Sequence, residues 1–357
     1  MICLATPDNV YDMTDTTPSN IHGGFEHEAI VAGADQIRAG KLVAFPTETV
    51  YGLGANAFDP AAVSQVFALK QRPSFDPLIV HVESVVQAKQ IAASFPAHAE
   101  KLAEAFWPGP LTLVVHKSSD VPDIVTAGLP TVGLRLPNHA VARSLIEHAG
   151  TPIAAPSANK FGSVSPTSAQ HVYDEFGDEL GFILDGGSSE TGVESTVVSV
   201  TTGKAVVLRL GGTSIEQIQR VLGEDQVSIA VKKPEAKGEH HEDYSKGLAS
   251  PGMLSRHYAP RTPMQLVKSP ASLVTSQLFA KAGLLALRKP EPRVAEKFEH
   301  VIVLSESGDL IEAASKLFES MRQLDRMRLD LIVAQPVPEI GLGRAINDRL
   351  RRAAMTH

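Results

Sequence analysis

The residues best suited to chemistry lie in one run, Pro46-Thr47-Glu48-Thr49-Val50-Tyr51-Gly52-Leu53-Gly54, directly after the apolar stretch Leu42-Val43-Ala44-Phe45. The apolar stretch reads as a buried strand, and Pro46 ends it because proline cannot donate to a sheet ladder. Hydroxyls and a carboxylate are thereby delivered to a strand end, where open α/β sheets place their ligands. Gly52 and Gly54 allow close approach of backbone to whatever binds. Hydroxyls and backbone amides in such a place are suited to a charged small molecule.

Cations stand elsewhere in the chain as if to complete that site. Lys70-Gln71-Arg72-Pro73 closes a helix, where two cations would also complement the helix dipole before a proline stop. As a functional pair they form a clamp for a polyphosphate, Arg72 supplying a planar fork. Asp76-Pro77 leads into Leu78-Ile79-Val80-His81-Val82, where His81 also suits a core imidazole. Arg135 lies in the otherwise apolar Val132-Gly133-Leu134-Arg135-Leu136, and a buried arginine needs an anionic partner, either a carboxylate side chain or a ligand. Arg209 in Leu208-Arg209-Leu210 repeats that theme. Hydroxyls and an amide appear at Ala155-Pro156-Ser157-Ala158-Asn159, at Ser165-Pro166-Thr167, where Ser165 also suits a helix N-cap, and at Gly192-Val193-Glu194-Ser195-Thr196. Guanidinium groups and hydroxyls match phosphate and carboxylate oxygens. The chain shows no nucleophile, base and acid set for hydrolysis. The run His240-His241-Glu242-Asp243 reads as solvated charge in a polar stretch, so no metal centre is expected.

Gly52-Leu53-Gly54-Ala55-Asn56-Ala57 matches the dinucleotide fingerprint in letters, but the helix start comes later, at Asp59-Pro60, and no acidic strand end follows. A phosphate-binding P-loop sequence is absent. Trp107-Pro108-Gly109-Pro110 predicts a rigid turn with an aromatic anchor.

The elements that position these residues are strands at 41–45, 78–82, 111–116, 131–136, 152–155, 182–185, 195–200 and 205–210, many bounded by Gly or Pro. The last two predict a hairpin across Thr202-Gly203, hence a mixed sheet. Asp59-Pro60 predicts an N-cap with proline at the first helical position, and Ser84 with Gln87 and Thr213 with Glu216 match capping boxes. Residues 1–25 read as a loose extension, and 224–262 as a linker, since Lys232 through Lys246 is charged and cannot build a core. Beyond Pro263 come strand 264–268, helix 270–281, strands 283–288 and 300–304, helix 308–324, strand 329–334 and helix 342–354, the alternation of a small parallel-sheet domain.

Composition narrows the class. The formal net charge of −7 argues against a protein that coats nucleic acid but leaves a local cationic pocket open. Cys3 is the single cysteine, which excludes disulfides and thiolate metal sites and fits a reducing compartment. No apolar stretch approaches the roughly 20 residues of a membrane helix, and no basic region precedes an apolar one at the N-terminus. Cytoplasm is the expected location.

The motifs together resemble those of the YrdC-like L-threonylcarbamoyladenylate synthases: Pro46 through Gly54, Lys70-x-Arg72, Trp107-Pro108-Gly109-Pro110, Ser157-x-Asn159 and Gly192 through Thr196. Ser250-Pro251-Gly252-Met253 with His257-Tyr258-Ala259-Pro260 resembles the linker of the long form, which leads to a C-terminal domain. The resemblance implies an α/β fold: a YrdC-like twisted mixed open sheet with flanking helices over 26–223, a linker or lid over 224–262, and a smaller Rossmann-like parallel α/β domain over 263–357. It implies condensation of L-threonine, bicarbonate and ATP to L-threonylcarbamoyl-AMP and pyrophosphate, with Mg²⁺ carried by the ATP phosphates and no metal ligand in the protein. The product would pass to the transferase machinery that modifies adenosine 37 of ANN-decoding tRNAs, with room for weak tRNA or RNA contact. Position by position, it implies catalytic roles for Lys70, Arg72, Ser157 and Asn159. ATP contacts fall to Arg72, Asp76, Thr131, Ser157, Ser165, Arg209 and Tyr258, and threonine contacts to Thr49, His81, Arg135, Ala155 and Ser195. His257-Tyr258 would cover the nucleotide and keep water off the reactive anhydride. Two rivals stand beside it. An RNA-binding module without catalysis conflicts with the net charge, and a carbamoyl-phosphate-using maturation domain would bring a Cys-rich finger that this chain cannot form.

Overall fold

A computed structural model describes residues 18–230, 257–269 and 281–355. Cys3, the charged stretch 232–246, Ser250 through Met253 and the expected helix 270–281 lie outside the described residues. Within them, eleven strands form one mixed sheet in the order Ile21–Gly23, Ile183–Asp185, Val43–Phe45, Gly52–Asn56, Ile153–Ala154, Ile79–His81, Thr131–Arg135, Leu111–His116, Thr196–Ser199, Ala205–Arg209 and Val227–Ile229.

The run Val43–Phe45 is apolar throughout because both faces of the sheet are covered. Val43 and Phe45 enter a core with the helices His27–Arg38 and Ala140–Ala149. Ala44 enters the opposite core, with Val63 and Val66 of the helix Pro60–Lys70 and Leu102 of the helix Ala97–Phe106. The expected hairpin is present: Thr196–Ser199 pairs antiparallel with Ala205–Arg209. Asp59 caps its helix as the sequence predicts, accepting from the amides of Ala61 at 2.9 Å and Ala62 at 3.2 Å. Trp107 anchors its turn through Nε1, which donates to Leu111 O at 2.7 Å.

Four expectations change. Ile21–Gly23, inside the stretch read as a loose extension, pairs parallel with Ile183–Asp185. Val227–Ile229, inside the stretch read as linker, pairs parallel with Ala205–Val207. Both are three-residue edge strands, too short to carry a period in sequence. Gly52–Asn56 is a strand as well, antiparallel to Val43–Phe45. Gly54 serves packing: a Cβ there would lie 2.7 Å from the Phe45 ring and 2.8 Å from Ile153. The capping box near 213 is shifted by one residue, to Ser214 with Gln217.

A second sheet of four parallel strands runs Met264–Leu266, Leu331–Ala334, Ala282–Ala286, His300–Val303. Its helices Leu310–Arg326 and Gly343–Ala353 pack against the first unit. Leu317, Phe318, Met321, Ile346 and Leu350 share one buried cluster with Val50, Val164 and Val193 of the first unit. Ion pairs line this seam: His171–Glu319 at 2.7 Å, Glu175–Arg322 at 3.0 Å, Asp174–Arg326 at 2.6 Å, Glu216–Arg344 at 2.6 Å and Glu194–Arg349 at 2.9 Å. Among the described residues no helix is long and apolar enough to cross a membrane.

Candidate active site

One cavity gathers most of the expected residues: Thr49, Arg72, His81, Arg135, Ala155, Ser157, Ser195, Arg209 and Tyr258 all line it. The turn after Phe45 is built by Thr47, whose hydroxyl donates to Val50 O at 2.6 Å and accepts from the amides of Thr49 and Val50. Its Oγ1 also lies 2.8 Å from the Thr49 hydroxyl. The turn then pairs with the other small-residue segment, Leu53 N donating to Pro156 O and Ala158 N to Tyr51 O, both at 2.8 Å. Two hydroxyl-bearing stretches far apart in sequence are thereby fixed side by side.

The anionic partner demanded by Arg135 is a carboxylate side chain. Arg135 Nη2 lies 2.8 Å from Glu48 Oε1, both side chains buried, while Arg135 Nε donates to Gly109 O at 3.3 Å. Neither Glu48 oxygen has an aligned hydrogen bond, so the pair retains capacity for a further polar group. Beside it, His81 meets the Phe45 ring edge-on at 5.9 Å between centroids. Burial, reinforced by the Arg135 charge, lowers His81 to about 3, so the imidazole is neutral at physiological pH.

That shift sets a pH dependence. An unfolded histidine titrates near 6.5. Between there and about 3 the unfolded chain therefore binds a proton that the folded chain refuses. Stability is full above the unfolded pKa and falls as pH drops through this window, by up to about 1.4 kcal/mol per pH unit for one group. His81→Phe is expected to flatten the slope of melting temperature between pH 6.5 and 4.5; an unaltered slope would remove His81 as its source.

On the third wall, Arg209 donates through Nε and Nη2 to Ser195 O at 3.1 and 3.0 Å, and through Nη2 to Ser195 Oγ at 3.1 Å. Thr112 Oγ1, 2.8 Å from Ser195 Oγ, completes that hydroxyl's contacts. Arg72 is held by Asp76: Nη2 is 2.9 Å from Asp76 Oδ2, Nε donates to Asp76 O and Nη2 to Pro77 O. Asp76 thus orients the clamp from behind the wall.

Lys70 stands in that rear position too. Its ammonium donates to Ser157 O at 2.6 Å and to Asn159 O, and it does not line the cavity. Burial first, then the Arg72 charge, lowers its pKa well below the usual lysine value. Asn159 Nδ2 donates to Lys160 O and Ser163 O at 2.8 and 2.9 Å, which fixes the loop below Ser157. Ser165 is not an N-cap; Ser168 caps the helix Ala169–Phe176, and Ser165 Oγ donates to Glu194 Oε1 at 2.5 Å. Thr131 lies at the opposite end of its strand from Arg135 and lines an adjoining narrow recess that shares Ile79 with the cavity.

Three groups to which the resemblance gave no role, Glu48, Glu194 and Arg349, take part in the site, beside His257, which was expected over the nucleotide. Glu48 and Glu194 sit between hydroxyls and apolar residues, where a carboxylate signals a buried partner. His257 lines the cavity, and burial with the Arg72 and Lys70 charges keeps it neutral. Arg349, fully buried, donates to Glu194 Oε2 through Nε at 3.0 Å and Nη2 at 2.9 Å. In sequence it is one of several arginines on a polar helix, and nothing separates it from a solvated face. Tyr258 is held at φ 66, in the left-handed region, with its ring 5.7 Å from Phe318 and 5.2 Å from the Arg349 guanidinium.

Among the described residues no cluster of three or more His, Cys, Asp or Glu is arranged for a metal ion. Glu194 on the cavity wall and Glu48 beside Arg135 are each engaged by an arginine.

Comparisons with known proteins agree with this architecture. A family model described as telomere recombination matches residues 35–211, and one described as threonylcarbamoyl-AMP synthase, C-terminal domain, matches 213–355. A threonylcarbamoyl-AMP synthase of Pyrococcus abyssi is 43% identical over 346 residues, covering 94% of this chain and 96% of the relative. One of Bacillus subtilis is 37% identical over 348 residues, covering 96% of both. The crystal structure of Pyrococcus abyssi Sua5 complexed with L-threonine superposes with a TM-score of 0.80 at 42% identity, covering 91% of this chain and 94% of that one. Similarity at this level over nearly the whole length of each partner places the chain in the threonylcarbamoyl-AMP synthase family.

Proposed function

We propose that the cavity condenses L-threonine, bicarbonate and ATP to L-threonylcarbamoyl-AMP and pyrophosphate. The observation that carries this reading is one cavity that brings together two chemically distinct sets of residues. Arg135, Glu48, neutral His81 and the Thr49 hydroxyl suit a zwitterionic amino acid with a hydroxyl side chain. Arg72, Arg209 and Ser157 suit a polyphosphate.

The reaction joins what the two sets hold. Threonine's amine forms a C–N bond to bicarbonate carbon as a C–O bond breaks and water leaves; an oxygen of the resulting carbamate attacks the α-phosphate, and pyrophosphate leaves with the electron pair of the broken P–O bond. Negative charge grows on the leaving group, so prepositioned cations and donors matter more than a strong base. Arg72 and Arg209 stabilise that charge. Lys70 acts from behind, holding the carbonyls of Ser157 and Asn159 so that Ser157 faces the phosphates. Arg135 receives threonine's carboxylate, and Glu48 keeps the guanidinium oriented. Thr49, Ala155 and Ser195 shape the pocket around the amino acid. Mg²⁺, carried by ATP, neutralises phosphate oxygens when bound. His257 and Tyr258 close the nucleotide end against water. The product then serves modification of adenosine 37 in ANN-decoding tRNAs in the cytoplasm.

The test is mass spectrometry of protein with ATP, Mg²⁺, bicarbonate and threonine. A threonine-dependent ion of threonylcarbamoyl-AMP with equimolar pyrophosphate is expected. Pyrophosphate released equally without threonine, or no adenylate at all, would sink the assignment.

A further inference from the structure

Glu194 poses an electrostatic problem. Its carboxylate is buried and lines a cavity that, on the reading above, must admit a polyanion. Like charges at close range in a poorly hydrated cavity repel strongly. The Ser165 hydroxyl satisfies one oxygen but removes no charge. The closest countercharge comes from the other end of the chain, with Arg209 adding to it. Arg349, on the helix Gly343–Ala353, places Nε and Nη2 on Glu194 Oε2, while its Nη1 donates to Leu210 O at 2.5 Å. Burial alone would raise the Glu194 carboxyl, but Arg349 first, then Arg209 and the Ser165 hydroxyl, hold it below its usual range. Arg349 itself is absent from the cavity wall, so it acts through Glu194 and through the Tyr258 ring above which it lies.

We propose that Arg349 is the positioning residue through which the C-terminal unit makes the nucleotide end of the cavity receptive to a triphosphate. It offsets the Glu194 charge on the wall and fixes Tyr258 against Phe318. The claim rests on the ATP-using reading of the cavity and is specific about charge. A purely adhesive role for Arg349 makes the opposite prediction once Glu194 is neutralised, because removing both partners leaves the seam no better glued than removing one.

The experiment measures calorimetric binding of α,β-methylene-ATP with Mg²⁺ to the full chain, alongside steady-state KM values for ATP and threonine. Arg349→Met is expected to weaken nucleotide binding about tenfold or more, by taking from a buried carboxylate its closest cation and leaving only Arg209 to offset it. The KM for threonine should stay within about twofold, because the amino-acid end is built by other residues. The double variant Glu194→Gln with Arg349→Met is expected to return nucleotide binding to within about threefold of the parent. Arg349→Lys, which keeps the charge but loses the fork, should fall between; it carries the test if Arg349→Met does not fold. A double variant as weak as Arg349→Met, or equal loss of ATP and threonine affinity, overturns the proposal. A parent that binds the analogue with this variant pattern yet forms no threonylcarbamoyl-AMP defeats the synthase reading alone. Normal product with identical nucleotide affinity in all variants defeats the Arg349 proposal alone.

Discussion

Arg72→Ala should lower adenylate formation by about three orders of magnitude, as expected for removing a fixed guanidinium from a site where phosphate charge develops. The same change should cost about 3–5 kcal/mol of stability, because Asp76 would remain as a buried carboxylate without its closest cation. The two effects separate in the double variant Arg72→Ala with Asp76→Asn. Neutralising Asp76 should recover much of the melting temperature and none of the rate. Lysine at 72 should rescue poorly, since Nε and Nη2 reach three oxygens of Asp76 and Pro77 that a single ammonium cannot span. Turnover within about twofold of the parent in Arg72→Ala would remove the clamp from the mechanism.

The second large effect is expected at Gly192, where no substrate is involved. Its φ is 70°, and a Cβ there would stand 2.4 Å from Ala314 O and 2.4 Å from Ser315 Cα, backbone atoms of the helix Leu310–Arg326. Gly192→Val therefore combines left-handed strain for a β-branched residue with a collision that no side-chain rotation relieves, a loss of about 4 kcal/mol or more. The helix must lift, taking with it the ion pairs of Glu319, Arg322 and Arg326. Melting should split into two transitions, and proteolysis between the two units should accelerate. Gly128→Ala is the control: its φ is 77° with no atom within 4 Å of an added Cβ, so about 1 kcal/mol of strain is expected. A single unshifted melting transition in Gly192→Val would show that the seam tolerates displacement.

The strands that carry site residues were largely legible because they are apolar runs covered on both faces and cut by Pro or Gly. Val43–Phe45, Thr131–Arg135 and Leu111–His116 are of this kind. The hydroxyls and arginines could be gathered into one site because their types converge on one chemistry, and the cavity contains most of them. What was hidden depends on contacts between distant residues. Nothing near Ser165 announces that its hydroxyl belongs to Glu194, and a capping role fitted its position equally well. Lys70 and Arg72 share a motif, yet the helix end turns one behind the wall and the other onto it. Gly52 lines the cavity, in keeping with close ligand approach, whereas the Phe45 ring and Ile153 occupy the space that Gly54 leaves. Arg349 was beyond reach because its partner is 155 positions away.

The pairing of Ile21–Gly23 with Ile183–Asp185 has a bearing on biosynthesis. A ribosome delivers the first of these strands long before the second, so a border of the large sheet waits for its neighbour while more than a hundred intervening residues emerge. Such an arrangement favours late, concerted closure over stepwise growth from the first-made end. During that wait Val43–Phe45 lacks its outer neighbour, and nascent chains stalled before residue 183 should be the ones most in need of chaperone protection.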